Sequence, residues 1–238
     1  MVLVALHLAA CGADVAITYH RNPDSAAEVA HQVQQFGCRA LVIAVNLSKI
    51  EDIDCLFQTI KDEWGGLDFF ISNAASGFNR PAMEQKASGW DWTMNVNARA
   101  FLFACQRAVP LMEPRGGGSI VSVTSQGSQR VLPDYVAVGA SKAALESLTR
   151  YLAVELAPRH IRVNAISPGL VETDALQHFS ALSGSDVIAR AIQNTPAGRL
   201  VTPNDVAGVV EFLCSPAAAM ICGQVIIVDG GYTLITPG

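Results

Sequence analysis

Short apolar runs alternate with helix-like segments along the 238-residue chain, and this alternation limits the fold more than any other feature. The runs lack strict polar alternation, which is typical of strands in a sheet that is covered on both faces. Strands alternating with helices favour a parallel sheet with helices on both sides. The chain is therefore predicted to form one three-layer α/β/α domain over residues 1–238. Its strands are predicted at 13–18, 40–45, 68–72, 119–124, 161–166 and 225–228.

Several helices have recognisable ends in the sequence. Asn22 followed by Pro23 predicts an N-cap and a first helical position. The segments 48–51 (Ser-Lys-Ile-Glu) and 202–205 (Thr-Pro-Asn-Asp) have the pattern of a helix start with a capping box. Gly65-Gly66 predicts the end of the helix that begins near residue 48.

The composition excludes some classes of function. With 16 basic and 21 acidic residues, the net charge of −5 gives no reason to expect nucleic acid or an anionic membrane as a partner. The apolar run 1–10 contains His7 and has no basic flank, so we expect it to be neither a signal peptide nor a membrane span. We therefore expect a cytoplasmic protein. The mean hydropathy of +0.31 favours a homo-oligomer.

The six cysteines show no Cys-x-x-Cys spacing and lie within apolar patterns, which predicts reduced, buried thiols. The five histidines have no spacing typical of metal ligands, so no metal site is expected.

The chain resembles the short-chain dehydrogenase/reductase family over nearly its whole length, and the resemblance rests on several motifs in family order. It implies a Rossmann-like doubly wound sheet and an oxidoreductase. The motifs are Ser72–Gly77, Asn95–Ala98, Ser122–Ser125, Ser141–Ala144, Ser167–Gly169 with Thr173, Gly223-Gln224 and Val228–Gly231.

Within that family, the spacing of one tyrosine and one lysine points to a subgroup. Ketone reductases of the family usually carry the tyrosine four residues before the lysine, but Val138 holds that position relative to Lys142. The nearest tyrosine is Tyr135, seven residues before the lysine. This spacing and the stretches 73–97, 141–158 and 193–199 resemble NADPH-dependent enoyl-[acyl carrier protein] reductases.

The resemblance implies four catalytic residues. Tyr135 is expected to stabilise the enolate oxygen of a conjugated thioester, and Lys142 to support it while bonding the nicotinamide ribose. Ser125 either bonds the thioester oxygen or caps the following turn. Asn97 either helps to hold a water chain to the lysine or is satisfied locally.

The end of the first strand predicts the choice of cofactor. The chain has no Asp or Glu there to bond the ribose 2′-hydroxyl of NAD, whereas Arg21, flanked by His20 and Asn22, suits the 2′-phosphate of NADPH. Asn46 stands where many relatives place an aspartate near the adenine.

Further cofactor contacts are expected at the ends of later strands. Asn73 and Ala74 would let the backbone approach a ribose, Pro168-Gly169 would border the nicotinamide, and Thr173 would bond its amide or the phosphates. The segment 170–195 corresponds to the family's substrate lid, where apolar residues could line an acyl tunnel or belong to the core. These are Leu170, Val171, Leu176, Phe179 and Leu182.

The beginning of the sequence departs from the family. Residues 2–11 predict a helix ended by Gly12, yet the strand and glycine-rich turn that normally precede this helix are missing. The strands on either side of the missing one are expected to lose a pairing partner. Two explanations compete. Either the sequence begins at an internal methionine of a longer protein, which the intact downstream motifs favour, or the protein is a relative that no longer binds a dinucleotide.

The sequence and the resemblance together predict NADPH-dependent reduction of a trans-2-enoyl thioester, carried on acyl carrier protein or coenzyme A. The resemblance also implies a homotetramer. The alternatives are a 3-oxoacyl or carbonyl reductase with a shifted tyrosine, and a non-catalytic homologue.

Overall fold

The computed structural model describes residues 2–172 and 185–235, and each predicted strand is found there within one or two residues of its expected bounds. All strand pairs are parallel. The strands are β1 Val15–Tyr19, β2 Ala40–Ala44, β3 Phe69–Ser72, β4 Gly118–Val123, β5 Ile161–Pro168 and β6 Val225–Val228.

Helices connect these strands. A short π-helix, Asn95–Arg99, joins α4 directly to α5. The α-helices are α1 Val2–Ala10, α2 Pro23–Gln35, α3 Ile50–Trp64, α4 Ala87–Met94, α5 Ala100–Met112, α6 Val136–Leu156, α7 Ser185–Gln193 and α8 Pro203–Cys214.

Two of the three predicted helix starts are confirmed. The Asn22 side chain accepts a hydrogen bond from the N–H of Ser25, and Thr202 and Asp205 form a reciprocal capping box. The capping box predicted at Ser48 is wrong, because α3 is capped by the backbone of Lys49 without a side-chain bond. The Ser48 hydroxyl and N–H instead donate to Asn46 Oδ1, at 2.7 and 3.0 Å, in a local turn that competes with the cap.

Helices cover both faces of the strands and confirm the three-layer prediction. On one face α3, α5 and α6 pack around fully buried residues such as Phe101, Ile120 and Ile161. On the other face α1 and α8 pack on Val121 and Ile166, and α1 and α2 cover β1 and β2. Burial of each large apolar side chain contributes about 1.5–3 kcal/mol, so these clusters hold the layers together.

The strands form two sheets rather than one. The order is β2-β1 in the first sheet and β3-β4-β5-β6 in the second. Between β1 and β3 lies a groove of about 930 Å³, bordered by α1 as well as both strands. Within residues 2–172 and 185–235, no strand pairs with the edges of β1 and β3 that border the groove, which confirms the predicted loss of a pairing partner.

The cysteine prediction holds in part. All six thiols are free, and Cys105 and Cys214 are buried; burial raises the pKa of the Cys214 thiol to about 11. Cys11 and Cys55 are exposed, contrary to the prediction. Cys55 lies opposite the buried residues Ile53 and Phe57 on α3, whereas Cys11 follows the last turn of α1.

No helix in the described part of the chain has the length and apolarity needed to cross a membrane.

Candidate active site

The predicted site residues follow the carboxyl ends of successive strands. His20 follows β1, Asn46 follows β2, Asn73 follows β3, Ser125 follows β4 and Gly169 follows β5. Because the strands of each sheet are parallel, these ends share one edge, where ligands bind in open α/β folds.

Lys142 occupies the second turn of α6 and is buried, at 5% exposure. Its Nζ donates to the carbonyl oxygen of Val123, the last residue of β4, at 2.7 Å. Removal from water disfavours the ammonium and lowers the pKa of Lys142 to about 8. The lysine is therefore held at the carboxyl edge of the sheet and titrates near neutral pH.

Tyr135 immediately precedes α6 and lies against Gly127. A Cβ at Gly127 would stand 2.6 Å from the Cδ1 and Cε1 atoms of Tyr135, so only glycine lets the ring lie there. Asp134, just before the tyrosine, has a left-handed φ of 59°, a conformation that Asp tolerates better than most residues. The turn between Gly127 and α6 thus fixes the ring at the helix N-terminus.

Val138 holds the position one helical turn before Lys142, and it belongs to the core. It is 8% exposed, and a Cβ added at Gly77 would lie 2.3 Å from its Cγ2 atom. The loop after β3 therefore packs directly on this valine. The helix position that ketone reductases use thus carries no phenol here, and Tyr135, the N-cap residue of α6, is the tyrosine nearest to Lys142 in sequence.

Ser125 caps the 3₁₀ turn Gln126–Ser128: its Oγ accepts from the N–H of Gly127 at 3.2 Å, and its carbonyl accepts from Ser128 Oγ. Of the two predicted roles, the capping role is observed. The Ser125 O–H can still donate while its oxygen accepts, so bonding to a substrate oxygen is compatible with the cap.

Asn97 lies in the π-helix and is satisfied by local hydrogen bonds. Its Nδ2 donates to Ser76 O at 2.8 Å and to Ser141 Oγ at 2.9 Å, and its Oδ1 accepts from Ser76 N. These bonds tie the loop after β3 to α6 beside Lys142. π-Helical segments are frequent at functional sites.

Glu146 is a site residue that the sequence reasoning missed. It lies one helical turn after Lys142 and is 4% exposed. Its carboxylate accepts hydrogen bonds from Thr124 Oγ1 at 2.9 Å, from Ser128 Oγ, and from Gln129 Nε2 at 3.2 Å. All three donors flank Ser125, so Glu146 fixes the loop that carries it. A glutamate four residues after Lys142, within an apolar stretch, was the available signal.

The predicted cofactor residues that surround the groove form a second group. The imidazole of His20 lies 6.2 Å from the ring of Trp92, and Arg21 is exposed. The amide oxygens of Asn22 and Asn46 are engaged in local turns. The groove-lining members of the predicted set are His20, Arg21, Asn22, Asn73 and Ala74.

Pro168 and Gly169 close the carboxyl end of β5. Gly169 N–H donates to Val228 O at 2.9 Å, and a Cβ on the glycine would lie 2.9 Å from the Cβ of Asp229. Glycine therefore allows the end of β5 to approach the segment after β6.

The predicted lid, residues 170–195, is described only in part. At its start, the carbonyl of Leu170 accepts a hydrogen bond from the N–H of Val201.

Some predicted residues cannot be placed. Thr173, Leu176, Phe179 and Leu182 lie outside the described residues. Two residues fit the ends of a dinucleotide: Arg21 suits the adenosine end and Lys142 the nicotinamide end. The described segments contain no glycine-rich turn that could bind the pyrophosphate, which lies between these ends.

Comparison with known proteins places this geometry in a family. Residues 3–233 match the family model described as enoyl-(acyl carrier protein) reductase. The 1-cyclohexenylcarbonyl-CoA reductase of Streptomyces collinus is 35% identical over 98% of this chain and 83% of its own length.

Two further relatives have solved structures of the same fold. The 7α-hydroxysteroid dehydrogenase of Escherichia coli is 31% identical over 96% of this chain and 88% of its own. A structure of 7α-hydroxysteroid dehydrogenase with NADH and a 7-oxo bile acid superposes with a TM-score of 0.90. An enoyl-(acyl-carrier-protein) reductase from Anaplasma phagocytophilum, in complex with NAD, is 30% identical and superposes with a TM-score of 0.84 over 98% of this chain and 86% of its own.

The chain belongs to the short-chain dehydrogenase/reductase family of oxidoreductases. Its Rossmann-like α/β fold is that of its structural neighbours.

The three hydrogen bonds of Glu146 predict the effect of a Glu146→Gln substitution. The neutral carboxamide keeps one acceptor oxygen, so the bonds from Thr124 and Ser128 lose their charge assistance and the bond from Gln129 is lost, at a cost of about 1–3 kcal/mol in the free energy of unfolding. Amide hydrogen exchange at Gly127, Ser128 and Gln129 should become faster. Glu155→Gln, an exposed change on the same helix, is the control. Equal exchange rates in both variants would show that Glu146 does not hold the loop.

The lowered pKa of Lys142 predicts a pH dependence of stability. Because folding lowers this pKa from 10.5 to about 8, the unfolded chain binds more protons between these pH values. The free energy of unfolding contributed by this group therefore rises with pH, by roughly 2 kcal/mol between about pH 8 and pH 10. Urea unfolding of the wild type and of Lys142→Met measures the difference, since the variant lacks this rise.

The exposed change Lys61→Met is the matched control for that experiment and should keep the wild-type slope. A Lys142→Met variant whose stability follows the wild-type pH curve would contradict a buried, titrating lysine.

Proposed function

We propose that the protein reduces the conjugated double bond of a trans-2-enoyl thioester, carried on acyl carrier protein or coenzyme A, with NADPH. The observation that carries the proposal is the placement of Tyr135 at the N-terminus of α6 while Val138, at the position ketone reductases use, is buried against Gly77. The description of the matching family model and the name of the Streptomyces collinus reductase, which acts on a coenzyme A thioester, support it.

The chemistry of the two substrates explains why the position of the phenol matters. In a ketone, the carbon that receives hydride bears the oxygen that becomes negative. In an enoyl thioester, the β carbon receives hydride and charge develops on the thioester oxygen, two bonds farther away. A phenol displaced from the helix can reach that more distant oxygen and donate to it as charge develops.

NADPH, when bound, supplies the hydride. Tyr135 donates its O–H to the thioester oxygen, and Ser125 offers a second donor at the end of β4. Lys142, held by Val123, bonds the nicotinamide ribose, and its positive charge favours the enolate while Tyr135 donates to it, or the phenolate once the tyrosine has given up its proton. Asn97 positions the segment of α6 that includes Ser141 and Lys142.

Arg21 supports the choice of NADPH. No described ion pair involves its guanidinium, and Arg21 is exposed and lines the groove after β1. A planar guanidinium matches a phosphate with paired hydrogen bonds, and no carboxylate in the segment 19–22 competes for the ribose 2′ position.

We also propose a cytoplasmic homotetramer that takes part in fatty acid synthesis. Tyr151 and Val154 on α6 are 76% and 79% exposed, which is unusual for large apolar side chains three residues apart on one helix face. Pairing of α6 between copies would cover them, and the exposed Ile227 of β6 supports a second contact.

Two other functions are each favoured by one observation. The similarity to 7α-hydroxysteroid dehydrogenase favours a 3-oxoacyl or carbonyl reductase. The gap between β1 and β3 favours a homologue that does not grip a dinucleotide.

The substrate comparison tests the proposal. With NADPH, the protein should oxidise the cofactor at least about tenfold faster with a trans-2-enoyl thioester than with the matching 3-oxoacyl thioester. Tyr135→Phe should lower kcat/KM for the enoyl substrate by about 100-fold or more, because it removes the donor to the thioester oxygen.

Tyr151→Phe serves as the matched control, since it removes a phenol hydroxyl from the same helix, keeps the ring that the proposed pairing of α6 would cover, and should keep the wild-type rate. A preference for the 3-oxoacyl substrate would establish the carbonyl reductase instead. Unchanged enoyl reduction by Tyr135→Phe would remove the assigned role of this residue.

Cofactor selectivity gives an independent prediction. Arg21→Ala should raise the dissociation constant of NADPH by roughly 10- to 100-fold, the effect of losing a charge-assisted pair worth about 1.5–3 kcal/mol, and leave that of NADH nearly unchanged. Fluorescence titration with both cofactors measures the ratio. Lys61→Ala, which removes an exposed cation from the end of α3, should leave the ratio unaltered. Equal losses for both cofactors in Arg21→Ala would contradict recognition of a 2′-phosphate.

A further inference from the structure

Three side chains of metal-binding type meet where the end of α1 leads into the amino end of β1, whereas the candidate active site lies at the carboxyl ends of the strands. One of them, Cys11, also lines the groove. His7 lies in α1, Cys11 follows its last turn, and Glu211 lies in α8. Their ligand atoms, an imidazole nitrogen, the thiol sulfur and a carboxylate oxygen, all lie within 4.8 Å of one another. His7 Nε2 and Glu211 Oε2 are 2.6 Å apart.

The fold fixes this convergence. Cys11 N–H bonds to His7 O at 3.2 Å, so the helical backbone continues to the cysteine, and residues four apart lie on one helix face. Helix α1 packs on α8 through Val4 and Leu8, and Glu211 follows the fully buried Val210. The three ligands therefore come together because two packed helices present them.

The donor set suits zinc. Zinc in proteins takes imidazole nitrogen, thiolate sulfur and carboxylate oxygen at about 2.0–2.3 Å in tetrahedral geometry, which separates ligand atoms by roughly 3.4–3.6 Å. All three ligand atoms lie within 4.8 Å of one another, so side-chain rotation can bring them to that spacing, with metal bonds replacing the 2.6 Å contact between His7 Nε2 and Glu211 Oε2. A thiolate disfavours magnesium and calcium, which prefer oxygen ligands.

We propose that His7, Cys11 and Glu211 bind one zinc ion, with water as the fourth ligand, and that the ion fastens α1 to α8. The spacing of the histidines predicts no metal site. The proposed site escapes that criterion because it contains only one histidine, and a cysteine and a glutamate supply the other ligands. Since α1 borders the groove beside β1, the ion stabilises that side of the molecule. The site is separate from the proposed reductase activity, and its test does not depend on that activity.

Metal titration tests the site directly. Tag-free, EDTA-treated protein should bind one Zn²⁺ per chain in isothermal titration calorimetry. Co²⁺ in its place should give a thiolate charge-transfer band and the intense visible bands of tetrahedral coordination. His7→Gln, Cys11→Ser and Glu211→Gln should each weaken Zn²⁺ binding by more than the roughly 10- to 100-fold that loss of an outer-shell partner costs.

Cys55→Ser, which removes the other exposed cysteine, is the matched control and should bind as the wild type does. Because the three ligands are at least partly exposed, their variants should fold, and circular dichroism checks this. Zn²⁺ should raise the melting temperature of the wild type and of Cys55→Ser but not that of Cys11→Ser. Absence of saturable binding, or equal binding by wild type and Cys11→Ser, would overturn the proposal.

Discussion

The buried face of α6 carries polar side chains, and the arrangement of the candidate site depends on their hydrogen bonds. Lys142 bonds the end of β4, Glu146 bonds the loop around Ser125, and Thr149 lies 3.2 Å from Ser122 through their hydroxyl oxygens. A buried polar group without a partner costs about 1–3 kcal/mol, so a change in the position of the helix would leave several groups unsatisfied at once. The same bonds therefore set the helix on the sheet and align the catalytic candidates.

This constraint also explains the relation between Tyr135 and Val138. With the helix fixed by its polar contacts, Val138 faces the loop after β3 and packs on Gly77. The position one helical turn before Lys142 is thus used for packing, and the phenol in the proposed mechanism, that of Tyr135, comes from the preceding turn. Val138 has the packing role and Tyr135, three residues earlier, has the proposed chemical role. The proposed preference for a conjugated substrate therefore rests on these few residues.

Much of the fold could be predicted because its signals are local. Apolar runs located the strands, and Asn22 and Thr202 located helix starts, since the pattern and the cap lie within a few residues. Ser48 was misread because Asn46, two residues earlier, bonds it more favourably than the helix does. The position of Glu146 four residues after Lys142 is a local signal, but its hydrogen-bond partners lie in another element and could not be predicted. The His7–Cys11–Glu211 cluster could not be found locally, because Glu211 comes from a helix far away in sequence.

The separation of the strands into two sheets has a consequence for how the molecule unfolds. The pair β1-β2, with α2, contacts the larger sheet through side chains such as Ala16 and Ile43. Backbone hydrogen bonds couple neighbouring strands, and within residues 2–172 and 185–235 they join β1 to β2 alone. We therefore expect the unit of β1, β2 and α2 to open at a lower free energy than the four-stranded sheet, and its amide hydrogens to exchange sooner.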